Sequence, residues 1–219
     1  FFAYLNTFKR LGLAAIPMAA ETGPIGGDLS HEFIILAETG ESKIYTDKRI
    51  FDIDIKDYSN NESSIIDLRK KYDAFYAVTD DKFRKENFDK NVTKDDQLVT
   101  KGIEVGHIFY FGDKYSKPLK CSVDLKNGKK VNVRMGSYGI GVSRLVGAII
   151  EAKLKNNSMK WPNEISPFDT VIIPSLQKND NSNYLKAMDI YKQLINKKID
   201  VLLDDTDENL SAKFKKFDL

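Results

Sequence analysis

Met135-Gly-Ser-Tyr-Gly-Ile-Gly-Val-Ser-Arg-Leu-Val-Gly-Ala-Ile-Ile-Glu151 is the stretch that orders the rest of the chain. Three glycines, Gly136, Gly139 and Gly141, precede an apolar run of Leu145, Val146, Ala148, Ile149 and Ile150. Glycines tolerate conformations and close approaches that a side chain blocks. The run after them reads as a buried helix starting near Ser143. Arg144 then falls in the first helical turn, where the helix dipole disfavours a cation. A phosphate held jointly by amides and guanidinium compensates such a placement. A glycine-rich strand-to-helix turn with an exposed arginine fits the stretch equally well, so the stretch alone leaves both readings open.

Upstream, Lys101-Gly-Ile-Glu-Val-Gly-His-Ile-Phe-Tyr-Phe-Gly112 alternates and is rich in β-branched and aromatic residues, which predicts a strand. Gly106 and Gly112 are candidate bulge or close-approach positions. Strict alternation puts Val105, His107 and Phe109 on one face and Glu104, Ile108 and Tyr110 on the other, unless a bulge at Gly106 merges the faces. A carboxylate and an imidazole beside glycines suit a nucleotide site: Glu104 can hold Mg2+ and His107 can bond a phosphate. A core histidine in an apolar strand is the competing reading. Between strand and opening stretch, Lys117 to Val133 reads as a hairpin, with Asn127-Gly128 the signal of a type I′ turn. Arg134 reads as an edge-strand charge rather than a second cation of the site.

At the start of the chain, Phe1, Tyr4, Leu5, Phe8 and Leu11 recur at helical spacing up to Gly12. Leu13 to Met18 is strand-like. Glu21-Thr-Gly-Pro-Ile-Gly-Gly then turns toward an apolar strand, Phe33 to Ala37, and brings His31 and Glu32 to the mouth of that strand as a polar pair facing a cleft, or as ordinary solvated residues. Residues 52–100 are dominated by Asp, Lys, Asn and Ser, with one helical candidate at Ile65–Tyr72 and an aromatic patch at Phe75–Val78. Such a stretch reads as a small insertion or appended flap. Beyond a helix ending near Asn156-Asn157, Trp161 to Phe168 is a proline-punctuated linker. Thr170–Pro174 is a strand, Asn183–Lys197 a helix with Leu185, Met188, Tyr191 and Leu194 on one face, and Asp200–Leu203 a second strand. An acidic loop and a helix start at Leu210 follow. This order predicts a parallel α/β unit and a boundary near residue 166, giving domains 1–165 and 166–219.

Bulk properties bound the function classes. The 219 residues are 42% hydrophobic, enough for a real core in one or two domains. Thirty-four basic against 32 acidic residues leave +2, which excludes neither nucleic acid nor a small-molecule substrate. As a group the lysines sit beside Asn and Ile and read as compositional bias ahead of a nucleic-acid patch. One cysteine, Cys121, and two separated histidines, His31 and His107, argue against a disulfide and a structural zinc site. No apolar run approaches the roughly 20 residues that span a bilayer. The chain starts at Phe1 rather than Met and stops just after a helix start, so a fragment is expected.

Taken together and in order, Thr22-Gly-Pro-Ile-Gly-Gly27, Ser30-His-Glu-Phe33, Gly102-Ile-Glu-Val-Gly-His-Ile-Phe-Tyr-Phe-Gly-Asp-Lys-Tyr-Ser116, Met135–Arg144 and Trp161-Pro…Ser166-Pro-Phe168 resemble the bacterial-type prolyl-tRNA synthetases. The resemblance implies an α+β fold: the C-terminal part of an antiparallel class II synthetase catalytic core, then the start of an α/β anticodon-binding domain. It implies activation of proline by ATP with Mg2+, transfer to tRNA(Pro), a cytoplasmic homodimer and no membrane association. By motif position Arg144 contacts ATP phosphates, Glu104 and His107 lie on the strand that binds ATP and Mg2+, and Phe109, Ser137 and Gly136 border the proline pocket. His31 and Glu32 belong to the shared motif without an assigned chemical role. The family's motif 1, its motif 2 arginine and the Thr and Glu that grip proline all precede residue 1, so the chain alone is expected to be inactive. The short 52–100 segment stands where many relatives carry a large editing domain, so removal of mischarged alanine in cis is not expected. Ser137 replaces a cysteine common in the family. A threonyl or histidyl enzyme of the same subclass, or a non-catalytic nucleotide- or tRNA-binding paralogue, are the alternatives.

Overall fold

The computed structural model describes residues 1–27, 29–155, 158–175 and 180–217. It is a mixed α/β structure with a sheet-rich core, and it divides into two compact units, Phe1–Ala152 and Lys153–Leu219. Among the described residues no helix is long and apolar enough to cross a membrane.

In the first unit α1 (Phe2–Arg10) buries Leu5 and Phe8, and Lys9 and Arg10 in its last turn complement the dipole. β1 (Ile16–Ala19) pairs antiparallel with β2 (Leu29–Leu36) from Ile16↔Ile34 to Ala19↔His31. β2 therefore begins four residues before Phe33, because ladder bonds to its neighbours extend it backward. His31 and Glu32 consequently lie inside the strand on opposite faces, not together at its mouth. β3 (Ser42–Asp47) follows, then α2 (Glu62–Asp73), whose N-cap Asn61 accepts from the Ser64 amide at 2.9 Å. β4 (Ala77–Thr79) and α3 (Lys85–Asn91) lead into β5 (Gln97–Gly112), sixteen residues long.

The 52–100 segment does not hang from this sheet as a flap. Its strand β4 pairs in parallel with β1 and antiparallel with β3, filling the place between them. With β3–β5 and β5–β2, the pairings run in a closed ring through five strands. Closure removes exposed edges and is the physical reason a polar segment keeps this position. The segment also brings its own small cluster, Phe88 and Val92 against Tyr45, with the Phe83 ring stacked on Tyr45 at 3.6 Å.

The hairpin after β5 forms between β6 (Ser122–Asp124) and β7 (Lys130–Asn132). Its turn is not type I′, since Asn127 lacks the positive φ that type requires. The Gly128 amide instead donates to the Leu125 carbonyl at 2.8 Å, and Gly128, at φ 76°, supplies the left-handed position of a type I turn with a bulge. β8 (Met135–Ile140) returns alongside β5, and α4 (Val142–Lys153) follows. α4 buries Leu145, Ala148 and Ile149 but leaves Val142, Val146 and Ile150 exposed, so the helix is covered on one side only. The helix ends at Lys153, before the expected Asn156-Asn157, because Leu154 and Lys155 already pair as a strand with Ser158 and Met159.

In the second unit β9 (Leu154–Lys155) and β10 (Ser158–Met159) form a short antiparallel pair. β11 (Thr170–Ile172), α5 (Ser182–Asn196) and β12 (Val201–Leu203) make the expected parallel strand–helix–strand unit, in register Thr170↔Val201. The buried position of α5 is Ala187, with Met188, Tyr191 and Leu194 of the expected face half-buried, whereas Leu185 of that face is 64% exposed. α6 (Leu210–Phe217) closes the unit.

Candidate functional site

The site begins with one extra residue in β5. Phe33 of β2 stands opposite Gly106 and Ile34 opposite Glu104, leaving Val105 unmatched in a bulge. An unmatched residue resets the alternation of faces. Glu104 and His107, which strict alternation separates, are thereby brought to the same face. His107 Nδ1 lies 3.1 Å from Glu104 Oε1, and its Nε2 lies 2.6 Å from the Ser30 hydroxyl. A carboxylate at Nδ1 places the ring proton there, so Nε2 accepts from Ser30. The His107 ring stacks on Phe109 with centroids 4.0 Å apart.

Glu32 stands directly opposite His107 in the β2–β5 ladder. One ligand atom each from Glu32, Glu104 and His107 lie within 4.8 Å of one another. Burial, and next the Glu104 charge, push the Glu32 carboxyl up to about 7, while His107 pulls it back down. Two carboxylates so close disfavour joint ionisation, and a cation between them removes that penalty. The oxygen donors suit a hard divalent ion such as Mg2+, which favours carboxylates over imidazole.

Arg144 reaches the same cluster from the first turn of α4. The Gly141 amide donates to the bulged Val105 carbonyl at 3.1 Å, and the Leu145 amide to Gly141 at 2.8 Å, which anchors the helix start at the bulge. The Arg144 guanidinium donates to the Glu104 carbonyl at 3.0 Å and stands 3.7 Å from the carboxylates of both Glu104 and Glu41. These groups offset the unfavourable helix-start position. The side chain remains 48% exposed, so it can still meet an anion.

On β8, Ser137 pairs with Phe109 and Gly136 with Tyr110. Ser137 is exposed and lies on the His107–Phe109 side, while Gly136 is one residue off it. His31 is not part of this group. It is 5% exposed on the opposite face, edge-on to the Phe1 ring at 5.5 Å. Its Nδ1 is buried without a hydrogen-bond partner. Burial, reinforced by Arg69, lowers its pKa to about 4. Two members escaped sequence reasoning. Ser30 sits within a quoted motif but carries no catalytic pattern by itself, and Glu41 lies in an unremarkable turn, legible only through the fold.

Fold and site define a class: a mixed α/β protein whose sheet presents carboxylates, an imidazole and a guanidinium beside a glycine-rich strand-to-helix turn. The chain is a homologue of proteins named proline–tRNA ligase. It is 62% identical over 221 residues to that of Pelagibacter ubique, 50% identical over 223 residues to that of Parvibaculum lavamentivorans, and 48% identical over 223 residues to that of Rhodopseudomonas palustris. Each match covers 100% of this chain and 50% of the relative, so the chain spans about half the length of the curated relatives it matches. No protein-family model matches the chain.

Proposed function

We propose that this chain is part of a prolyl-tRNA synthetase, with residues 1–165 belonging to a class II catalytic core and residues 166–219 to the start of an anticodon-binding domain. The whole protein activates proline with ATP in the cytoplasm and transfers the prolyl group to tRNA(Pro), acting as a homodimer as the family resemblance implies. The observation that carries the reading is the convergence of Glu104, His107 and Arg144, from two separate motifs, at one bulge.

In the activation step the proline carboxylate attacks the α-phosphorus of ATP, and the bond to the bridging oxygen breaks to release pyrophosphate. This step needs alignment and charge stabilisation rather than a protein nucleophile. Arg144 binds phosphate oxygens, and its carboxylate partners release it to do so. His107, clamped between Ser30 and Glu104, presents a fixed ring edge to the nucleotide. Phe109 and Ser137 border the proline pocket with Gly136 behind them. Glu104 and Glu32 would hold Mg2+, which when bound neutralises phosphate charge. His31, sealed on the other face, supports the strand.

The test is proline-dependent pyrophosphate–ATP exchange by the full-length protein. Arg144→Ala is expected to lower the rate at least about 100-fold, the scale of losing one preorganised charge contact. An unchanged rate overturns the phosphate role, and equal exchange with threonine or histidine overturns the substrate.

A further inference from the structure

The positive charge of this chain is segregated. From Lys114 to Arg134 there are seven cations and a single acid, Asp124, a local charge of +6. The chain as a whole carries +2, so everything outside this segment sums to −4. Compositional bias raises lysine everywhere and does not leave one segment with a single acid among seven cations while the remainder is acidic.

The geometry makes this charge available. Lys117, Lys120, Lys126, Lys129, Lys130 and Arg134 are all exposed, and among the described residues none is ion-paired. Lys114 differs, donating to the Ile25 carbonyl at 2.7 Å. The segment is ordered: the Cys121 amide donates to Ser116 at 2.8 Å, the Val133 amide to Cys121 at 3.1 Å, and Ser116 is fully buried beneath. Leu119, 73% exposed, and Val123 and Leu125 interleave apolar surface with the cations. The hairpin also joins the two strands that carry the site. Arg134 precedes Ser137 by three residues, roughly 10 Å along a strand.

We propose that the β6–β7 hairpin is a polynucleotide-binding surface, which holds the phosphate backbone of the tRNA as its 3′ end enters the site beside Phe109 and Ser137. The proposal rests on the synthetase reading for the identity of the nucleic acid. A row of unpaired lysines on an ordered but exposed hairpin suits a spaced polyanion. It binds by releasing counterions and carries no base code.

The experiment compares the full-length protein with the triple variant K126Q/K129Q/K130Q, and with K70Q/K71Q/K85Q as a control for loss of charge elsewhere. Three quantities are measured: proline-dependent pyrophosphate–ATP exchange, the Kd for tRNA(Pro) and for a non-cognate tRNA, and the salt dependence of both. The hairpin variant is expected to raise both Kd values about tenfold or more and to flatten the salt slope by about 2 to 3, the yield of three phosphate contacts. Exchange stays within twofold of the wild type and the control leaves all readouts unchanged. Unchanged tRNA affinity overturns the proposal, as does an equal weakening by the control. A parallel fall in exchange overturns it too, since it places the lysines at the adenylate. Absence of proline-dependent exchange in the wild type sinks the activity reading instead, and leaves the binding comparison to decide the hairpin.

Discussion

Two histidines on one sheet have opposite fates, and the reason is which side of β2 or β5 each occupies. His107 has a partner on each nitrogen, Glu104 at 3.1 Å and Ser30 at 2.6 Å. Removing the hydroxyl by Ser30→Ala leaves Nε2 unpaired and the ring held only by Glu104 and the Phe109 stack. A cost of about 1 kcal/mol in stability and roughly a tenfold loss in proline-dependent exchange are expected. Relaxation of the His107 ring signals reports how firmly the ring is held, and a ring as fixed in the variant as in the wild type refutes the positioning role. His31 has no such partners, and its pKa is lowered to about 4. A depressed histidine pKa means the folded state excludes a proton that the unfolded chain accepts. Stability from this residue is therefore complete above about 6.5 and lost progressively as pH falls toward 4. Against His31→Leu, which does not titrate, wild-type stability is expected to drop by about 3 kcal/mol between pH 7.5 and pH 4 in denaturant titrations. A difference that does not vary with pH refutes the account.

At the scale of elements, β5 is the piece on which the site depends, and α1 is what holds it from behind. A Cβ added at Gly106 meets the Phe8 and Tyr4 rings at 3.0 Å. Alanine there asks the rings for a few tenths of an ångström. Gly106→Val drives branched methyls into them and is expected to cost about 2–3 kcal/mol by overpacking. A denaturant midpoint unchanged in Gly106→Val argues that the helix does not rest on that glycine. The same strand marks what was legible in the sequence. Its existence, its glycine near a bulge and its Glu–His pair were readable, because alternation and β-branched residues survive in any context. The extra residue at Val105 was not, since a bulge is settled by how Phe33 and Ile34 match their partners across β2. For the same reason β4 went unread as a sheet strand: three residues in a polar segment make no periodic signal, and only the gap between β1 and β3 gives them a place. His31 and Glu32 read as residues at the mouth of the strand because the backward extension of β2 into the turn depends on those distant ladders.

At the scale of the whole molecule, each unit has its own buried core and, in the second, its own buried ion pair. Lys213 is 1% exposed and donates to the Asp204 carbonyl at 2.9 Å, with the Asp204 carboxylate 3.4 Å from its ammonium. Thr206 donates to that carboxylate and holds it below the usual carboxylate range. One of its oxygens, Oδ2, is buried with no hydrogen-bond partner, so the carboxylate depends on nearby cations for compensation. Replacing Lys213 by methionine preserves much of the side-chain volume but removes the buried charge, which leaves the carboxylate only Thr206 and the half-exposed Lys216, 3.8 Å away, for compensation. Because that cost falls on contacts made within residues 153–219, amide exchange in β12 is expected to accelerate strongly while amides of β5 keep their protection. Hydrogen exchange resolved by residue distinguishes the outcomes. Acceleration in β12 alone means the second unit opens by its own equilibrium. Equal acceleration in β5 means the two units unfold as one cooperative body, and the independent stability ascribed to each is wrong.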